Sequence, residues 1–193
     1  MFLFLLLIPV SYSFDNTDYL YDIGFSIVLL LLIFWFRKPL KLSNFTFILL
    51  IFAIFLHTGG GVIGFYNESP VPISWDYLTH FIGVFAATVT IFPMLSQYFS
   101  NDKKHNILIV ILMVLLGLGV GALIEQIEFI SYNIFGEGTG FFRFGGLGDT
   151  STGNILGGYI NSMLDLQYNF LGAVVAVIIM LVLYRYRIIV AEN

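Results

Sequence analysis

Six side chains in this sequence are of a type and spacing that could do chemistry together: His57, Asp76, His80, Glu125, Glu128 and Asp165. Asp76 and His80 are four residues apart, and Glu125 and Glu128 three apart, so on a helix each pair shares one face. Asp165 and Asn169 repeat the four-residue spacing, and Gly172 continues that stripe with a residue small enough for close helix approach. Imidazole and carboxylate together suit a hard or borderline divalent metal, and a helical bundle core is a place where facing helices build such a site. The same groups without a metal make a hydrogen-bonded network for proton transfer, for holding a polar headgroup, or for structural specificity.

The signatures of better-defined chemistries are missing. There is no HExxH, and the acidic pair is ExxE rather than Glu-x-x-His. A membrane copper site built on Asp-x3-His would have another His about a dozen residues on, where this chain has Pro93. No GxSxG surrounds Ser74, Thr79 or Ser162, and no Lys-Ser/Thr follows the glycines at 145–158 as a phosphate loop requires. The chain has no cysteine, which excludes disulfides and thiolate chemistry.

Each residue also has a plainer reading. Asp76 alone could complement the dipole at a helix start, and His57 alone could be a packed histidine with a backbone partner. Trp75 and Tyr77 read most simply as an interfacial aromatic belt. Arg143 could recognise an anionic headgroup or pair with Glu137 or Asp149, and Asp149 could turn inward toward the acidic cluster.

The elements that must position these groups are membrane helices. Of the 193 residues, 59% are hydrophobic and only 10% charged, against about a quarter charged in soluble domains. The apolar runs fall at 21–36, 43–65, 75–99, 107–135 and 160–184, with a shorter one at 1–14. Fourteen helical residues cover about 21 Å of a hydrocarbon core roughly 30 Å thick. The first run is therefore a short or tilted span, or a signal peptide cut near Ser11 and Ser13, although it lacks a positive n-region. The expectation is an all-α polytopic bundle forming one transmembrane domain over 1–193, with six spans, or five if 1–14 is removed. A Gly-rich connection at 136–159 would cap it.

Seven of the eight Lys and Arg residues follow the second, fourth and sixth runs, and only Arg143 lies opposite. The positive-inside rule then places those clusters and the C-terminus in the cytoplasm, in a plasma-membrane protein whose polar groups lie in the outer half. The basic clusters are too short for a nucleic-acid surface. Membrane lipid is the expected neighbour, with a protein partner or a second copy of the chain as further candidates. Transport of a proton-coupled solute is disfavoured because no inverted repeat is visible.

The order HTGG, GFYNESPVP, WDYLTHFIG, IEQIEF, a Gly-Asp loop and SMLDLQYNFLGA resembles the YjdF-like inner-membrane family. More distantly it is similar to VanZ-type proteins. The resemblance covers roughly residues 50 to 175. It implies a functional set of His57, Asp76, His80, Glu125, Glu128, Asp149 and Asp165, and it implies no particular reaction. Asn161 stands where that family often has an acidic residue.

Overall fold

The computed structural model describes residues 2–40, 42–136 and 155–185. These form six α-helices and one 3₁₀ turn: α1 (Phe2–Ser13), the turn Thr17–Tyr19, α2 (Leu20–Phe36), α3 (Asn44–Val62), α4 (Trp75–Ser96), α5 (Lys103–Phe135) and α6 (Ile155–Arg185). The protein is an all-α membrane bundle. Helices α2 to α6 are long and apolar enough to cross a membrane, whereas α1 is a shorter apolar helix. Its twelve residues rise about 18 Å. It packs on α2 and α3, burying Phe4, Leu7 and Ser11, with Phe4 edge-on to Phe55 at 5.7 Å.

The surface confirms the setting. Phe34, Trp35, Leu115, Leu123 and Ile178 are among many large apolar side chains that point outward. Such a surface is a liability in water and a match for lipid tails. Among the described residues, burial on α5 and α6 follows one stripe each: Ile109, Met113, Gly117, Gly121, Glu125, Glu128 and Ser131, and Asn161, Asp165, Asn169, Gly172, Ala173, Ala176, Val177 and Met180. The repeat of three or four is the period of one helix face. Both stripes meet α4, the central helix of the bundle, which also contacts α3. At the end of α4 near Phe92 the filling is apolar, from Val89, Phe92, Met113, Ala176, Val177 and Met180. At the end near Asp76 it is polar.

Glycine decides how closely these elements meet. Gly59, Gly60 and Gly61 do not loosen the end of α3, as their number suggests in sequence; they are helical and buried. A β-carbon on Gly60 would lie 1.9 Å from the Trp75 indole nitrogen, and one on Gly61 would lie 2.0 Å from the Tyr19 ring. Two aromatic side chains therefore occupy the space that side chains at these positions would take. Trp75 donates its indole N–H to the Leu56 carbonyl, 3.2 Å away, and is buried. It is a packing residue at the α3–α4 junction instead of a member of an interfacial belt. Tyr77 stacks on Tyr168 with ring centres 4.8 Å apart, tying α4 to α6.

The turn after α3 uses Gly64 at φ 88°, where L side chains are strained, and Asn16 caps the last turn by donating to the Val62 carbonyl at 2.9 Å. Helix α5 starts at Asp102, whose carboxylate accepts from the Lys104 amide at 2.9 Å. Helix α6 begins five residues earlier than the apolar run suggests, so Gly157 and Gly158 belong to it and not to a cap. Residues 137–154, with Arg143 and Asp149, lie outside the described residues.

Candidate functional site

The first turns of α4 place Asp76 and His80 on its buried side. Across from them α5 presents Glu125 and Glu128, and α6 presents Asn161, Asp165 and Asn169, all buried. The imidazole of His80 is the common neighbour. Its Nε2 lies 3.5 Å from Asp76 Oδ1, 3.9 Å from Glu128 Oε1 and 4.0 Å from Asp165 Oδ1. Its Nδ1 lies 3.6 Å from Glu125 Oε1 and 3.3 Å from Asn169 Oδ1. Asn161 donates to Asp165 Oδ2 at 2.7 Å. Asp76, His80 and Asp165 bring one ligand atom each to within 4.8 Å of one another, as do His80, Glu125 and Glu128.

The small residues around this cluster make the convergence possible. A β-carbon on Gly121 would come within 2.6 Å of the Asn169 amide, so the glycine gives that amide its place between α5 and α6. At Gly172 the obstruction would be backbone, the Phe81 carbonyl at 2.4 Å, which puts α6 in direct contact with α4 one turn below Asn169. Asn169 is fully buried, and its Nδ2 has no hydrogen-bond partner among the described residues; the same holds for Asp76 Oδ2.

Five of the six residues picked out by type and spacing therefore meet at one point. The sixth, His57, stands beside the cluster. Its Nδ1 is 2.5 Å from the Tyr66 hydroxyl, which is 3.1 Å from Thr79 Oγ1, and Thr79 donates to the Asp76 carbonyl at 2.8 Å. Each hydroxyl has one proton. Thr79 spends its proton on the carbonyl, Tyr66 then donates to Thr79, and His57 donates Nδ1–H to Tyr66. This chain of bonds runs from α3 through the connecting loop to the first turn of α4. Burial pushes the Tyr66 phenol above its ordinary value, with the nearby Asp76 carboxylate adding to the effect.

Spacing alone did not single out Tyr66, Thr79 or Asn161 as partners in this site. Asn161 had a signal, since Asn161, Asp165 and Asn169 repeat every four residues along one face. A second buried polar group joins α2 to α3: Asp22 and Ser26 on α2, with Ser26 Oγ 2.7 Å from Thr58 Oγ1 on α3. Asp22 and Ser26 also have helical spacing, masked in the sequence by the acidic connection that precedes them.

A family model described as "Predicted membrane protein (DUF2238)" matches residues 1–187. The chain belongs to that family. No curated protein and no solved structure matches it. Membership in DUF2238 agrees with the helices and their lipid-facing surface, and the cluster gives this family member a chemical focus.

Electrostatics make that focus demanding. Asp76, Glu125, Glu128 and Asp165 carry up to four negative charges around one imidazole, which can supply at most one positive charge. Among the described residues the Lys and Arg side chains are Arg37, Lys38, Lys103, Lys104 and Arg185. Lys104 is 21 residues before Glu125 on α5, and Arg185 is 20 after Asp165 on α6, each about 30 Å along the helix. A buried carboxylate costs several kcal/mol unless a partner charge, a proton or a bound cation offsets it.

Proposed function

We propose that this membrane protein binds a divalent cation at the His80 cluster, with donors from Asp76, His80, Glu125, Glu128 and Asp165. The observation that carries the reading is the approach of four carboxylates from three helices to within 4.0 Å of one buried imidazole. The sign of the charge separates this reading from direct capture of a lipid phosphate, which the carboxylates would repel. Ligand atoms within 4.8 Å of one another suit a small ion better than a choline or ethanolamine head. Mostly oxygen donors with one nitrogen fit a hard-to-borderline ion such as Mn²⁺ or Zn²⁺. Bound there, the ion would supply Lewis-acid activation of a water or a headgroup oxygen.

The remaining assignments belong to the same reading. The basic clusters support a cytoplasmic C-terminus, and with it a cation site in the outer half of the plasma membrane. Residues 1–193 form one transmembrane domain, and on the motifs quoted above the family membership is of the YjdF-like kind. The test is metal analysis of protein purified in detergent, before and after chelation and reloading with Mn²⁺ or Zn²⁺. Wild type should hold stoichiometric metal, and His80→Ala should hold none while keeping its helical content. Absence of stoichiometric metal from wild type after reloading with each ion would remove the proposal.

A further inference from the structure

We infer that the two edges of the His80 ring have different jobs: Nε2 is the metal-binding edge, with Asp76, Glu128 and Asp165, while Glu125 is a positioning residue that orients the ring through Nδ1. This assignment rests on the cation reading above and divides its donor set. The Nε2 edge faces one carboxylate from each of three helices, Asp76 on α4, Glu128 on α5 and Asp165 on α6, at 3.5, 3.9 and 4.0 Å. A nitrogen ringed by three anionic oxygens from separate elements is the donor arrangement that a cation closes. The second oxygen of Asp76, buried and without a hydrogen bond among the described residues, is available to the same ion.

The Nδ1 edge differs in kind. Its neighbours are two oxygens, Glu125 Oε1 at 3.6 Å and Asn169 Oδ1 at 3.3 Å. The hydrogen bond on this edge is with Asn169 Oδ1, while Glu125 Oε1 stands just beyond hydrogen-bonding range and acts through its charge; an acceptor here calls for a proton on Nδ1, and a neutral imidazole with its proton on Nδ1 has its lone pair on Nε2. A metal-binding histidine commonly donates its other N–H to a carboxylate or carbonyl, which holds the tautomer and makes the ligating nitrogen more basic. The Asn169 amide packs against the bare backbone of Gly121, which sets its place beside the ring. Glu125 and Glu128, one turn apart on α5, thus serve opposite edges of one ring.

The experiment compares chelator-stripped wild type with Glu125→Gln, Asp76→Asn, Glu128→Gln and Asp165→Asn by titration with Mn²⁺ and Zn²⁺. Alongside it, ¹⁵N spectra of histidine-labelled protein identify the His80 tautomer, with His57 and His105 assigned by substitution. Glu125→Gln should keep one ion per chain with affinity about 10- to 100-fold weaker. Asp76→Asn and Asp165→Asn should lose stoichiometric binding, and Glu128→Gln should lose more affinity than Glu125→Gln. The stripped wild type should show Nδ1 protonated and Nε2 bare, and Glu125→Gln should shift that tautomer balance. If Glu125→Gln abolishes binding as fully as Asp76→Asn while its folding is intact, Glu125 is a ligand and the division of roles is wrong, although the cation reading stands. If wild type itself takes up neither ion, the cation reading falls, and this inference with it.

Discussion

Gly172 on α6 lies against the carbonyl of Phe81 on α4 so closely that a methyl group would come within 2.4 Å of that oxygen. The contact is backbone to backbone, and no rotamer change relieves it. Gly172→Ala should therefore separate α4 from α6 and cost about 2 kcal/mol. Gly83 and Gly119 have open space where a β-carbon would go. Gly83→Ala and Gly119→Ala should instead raise stability, by roughly 0.5–1 kcal/mol each, through the lower backbone freedom of alanine. Unfolding of the three variants in detergent micelles checks the opposite signs.

The carboxylates of the cluster repel one another when nothing compensates them. With chelator present, Asp165→Asn should make the protein more stable than wild type, by about 1–2 kcal/mol. Added Mn²⁺ should reverse the order. At an ion concentration a hundred times the dissociation constant, wild type gains about 2.7 kcal/mol, and the variant, lacking a ligand, gains little. Melting curves with chelator and with metal give both halves of the comparison.

Tyr66 should introduce an alkaline limit to stability. Its phenol has a higher pKa in the folded protein than in the unfolded chain, where it titrates near the ordinary value of about 10. The stabilisation is full below that value and is lost as pH rises from there through the folded-state value. Tyr66→Phe should remove this dependence. At neutral pH it should cost about 1–3 kcal/mol, because the half-buried His57 and the buried Thr79 lose their shared partner. Thermal midpoints measured between neutral and strongly alkaline pH, for both proteins, provide the check.

Helix α1 is short but packed. Phe4 is fully buried against α2 and α3 and makes an edge contact with Phe55. Phe4→Ala should cost about 3–5 kcal/mol by leaving a cavity. The outward-facing Phe2→Ala should have little effect, and denaturant midpoints would register the difference.

Helical spacing made much of the site visible before the fold was known. Asp76 with His80, Glu125 with Glu128, and Asp165 with Asn169 are each written within one helix, where a period of 3.6 carries the information. What brings them to one imidazole is not periodic: it depends on Gly121 and Gly172 setting helix separations. Tyr66 was not visible because a chain reversal at Gly64, not a helical repeat, returns its hydroxyl to His57. The triple glycine was misleading for a related reason. Glycine loosens an isolated helix, yet here the Trp75 and Tyr19 rings fill the space and the helix continues to Val62. The six helices follow from composition and run length, whereas the early start of α6 does not, since glycines in its first turns look like loop in the sequence.

The packing of Trp75 gives the protein a built-in optical reporter. The chain has two tryptophans: Trp35 faces the lipid at 79% exposure, whereas Trp75 is sealed against Gly60 with its N–H on the Leu56 carbonyl. Lipids brominated on their acyl chains should quench the first and spare the second. The emission that survives comes from an indole one residue from Asp76, so filling or emptying the cluster can be followed by fluorescence without attaching a label.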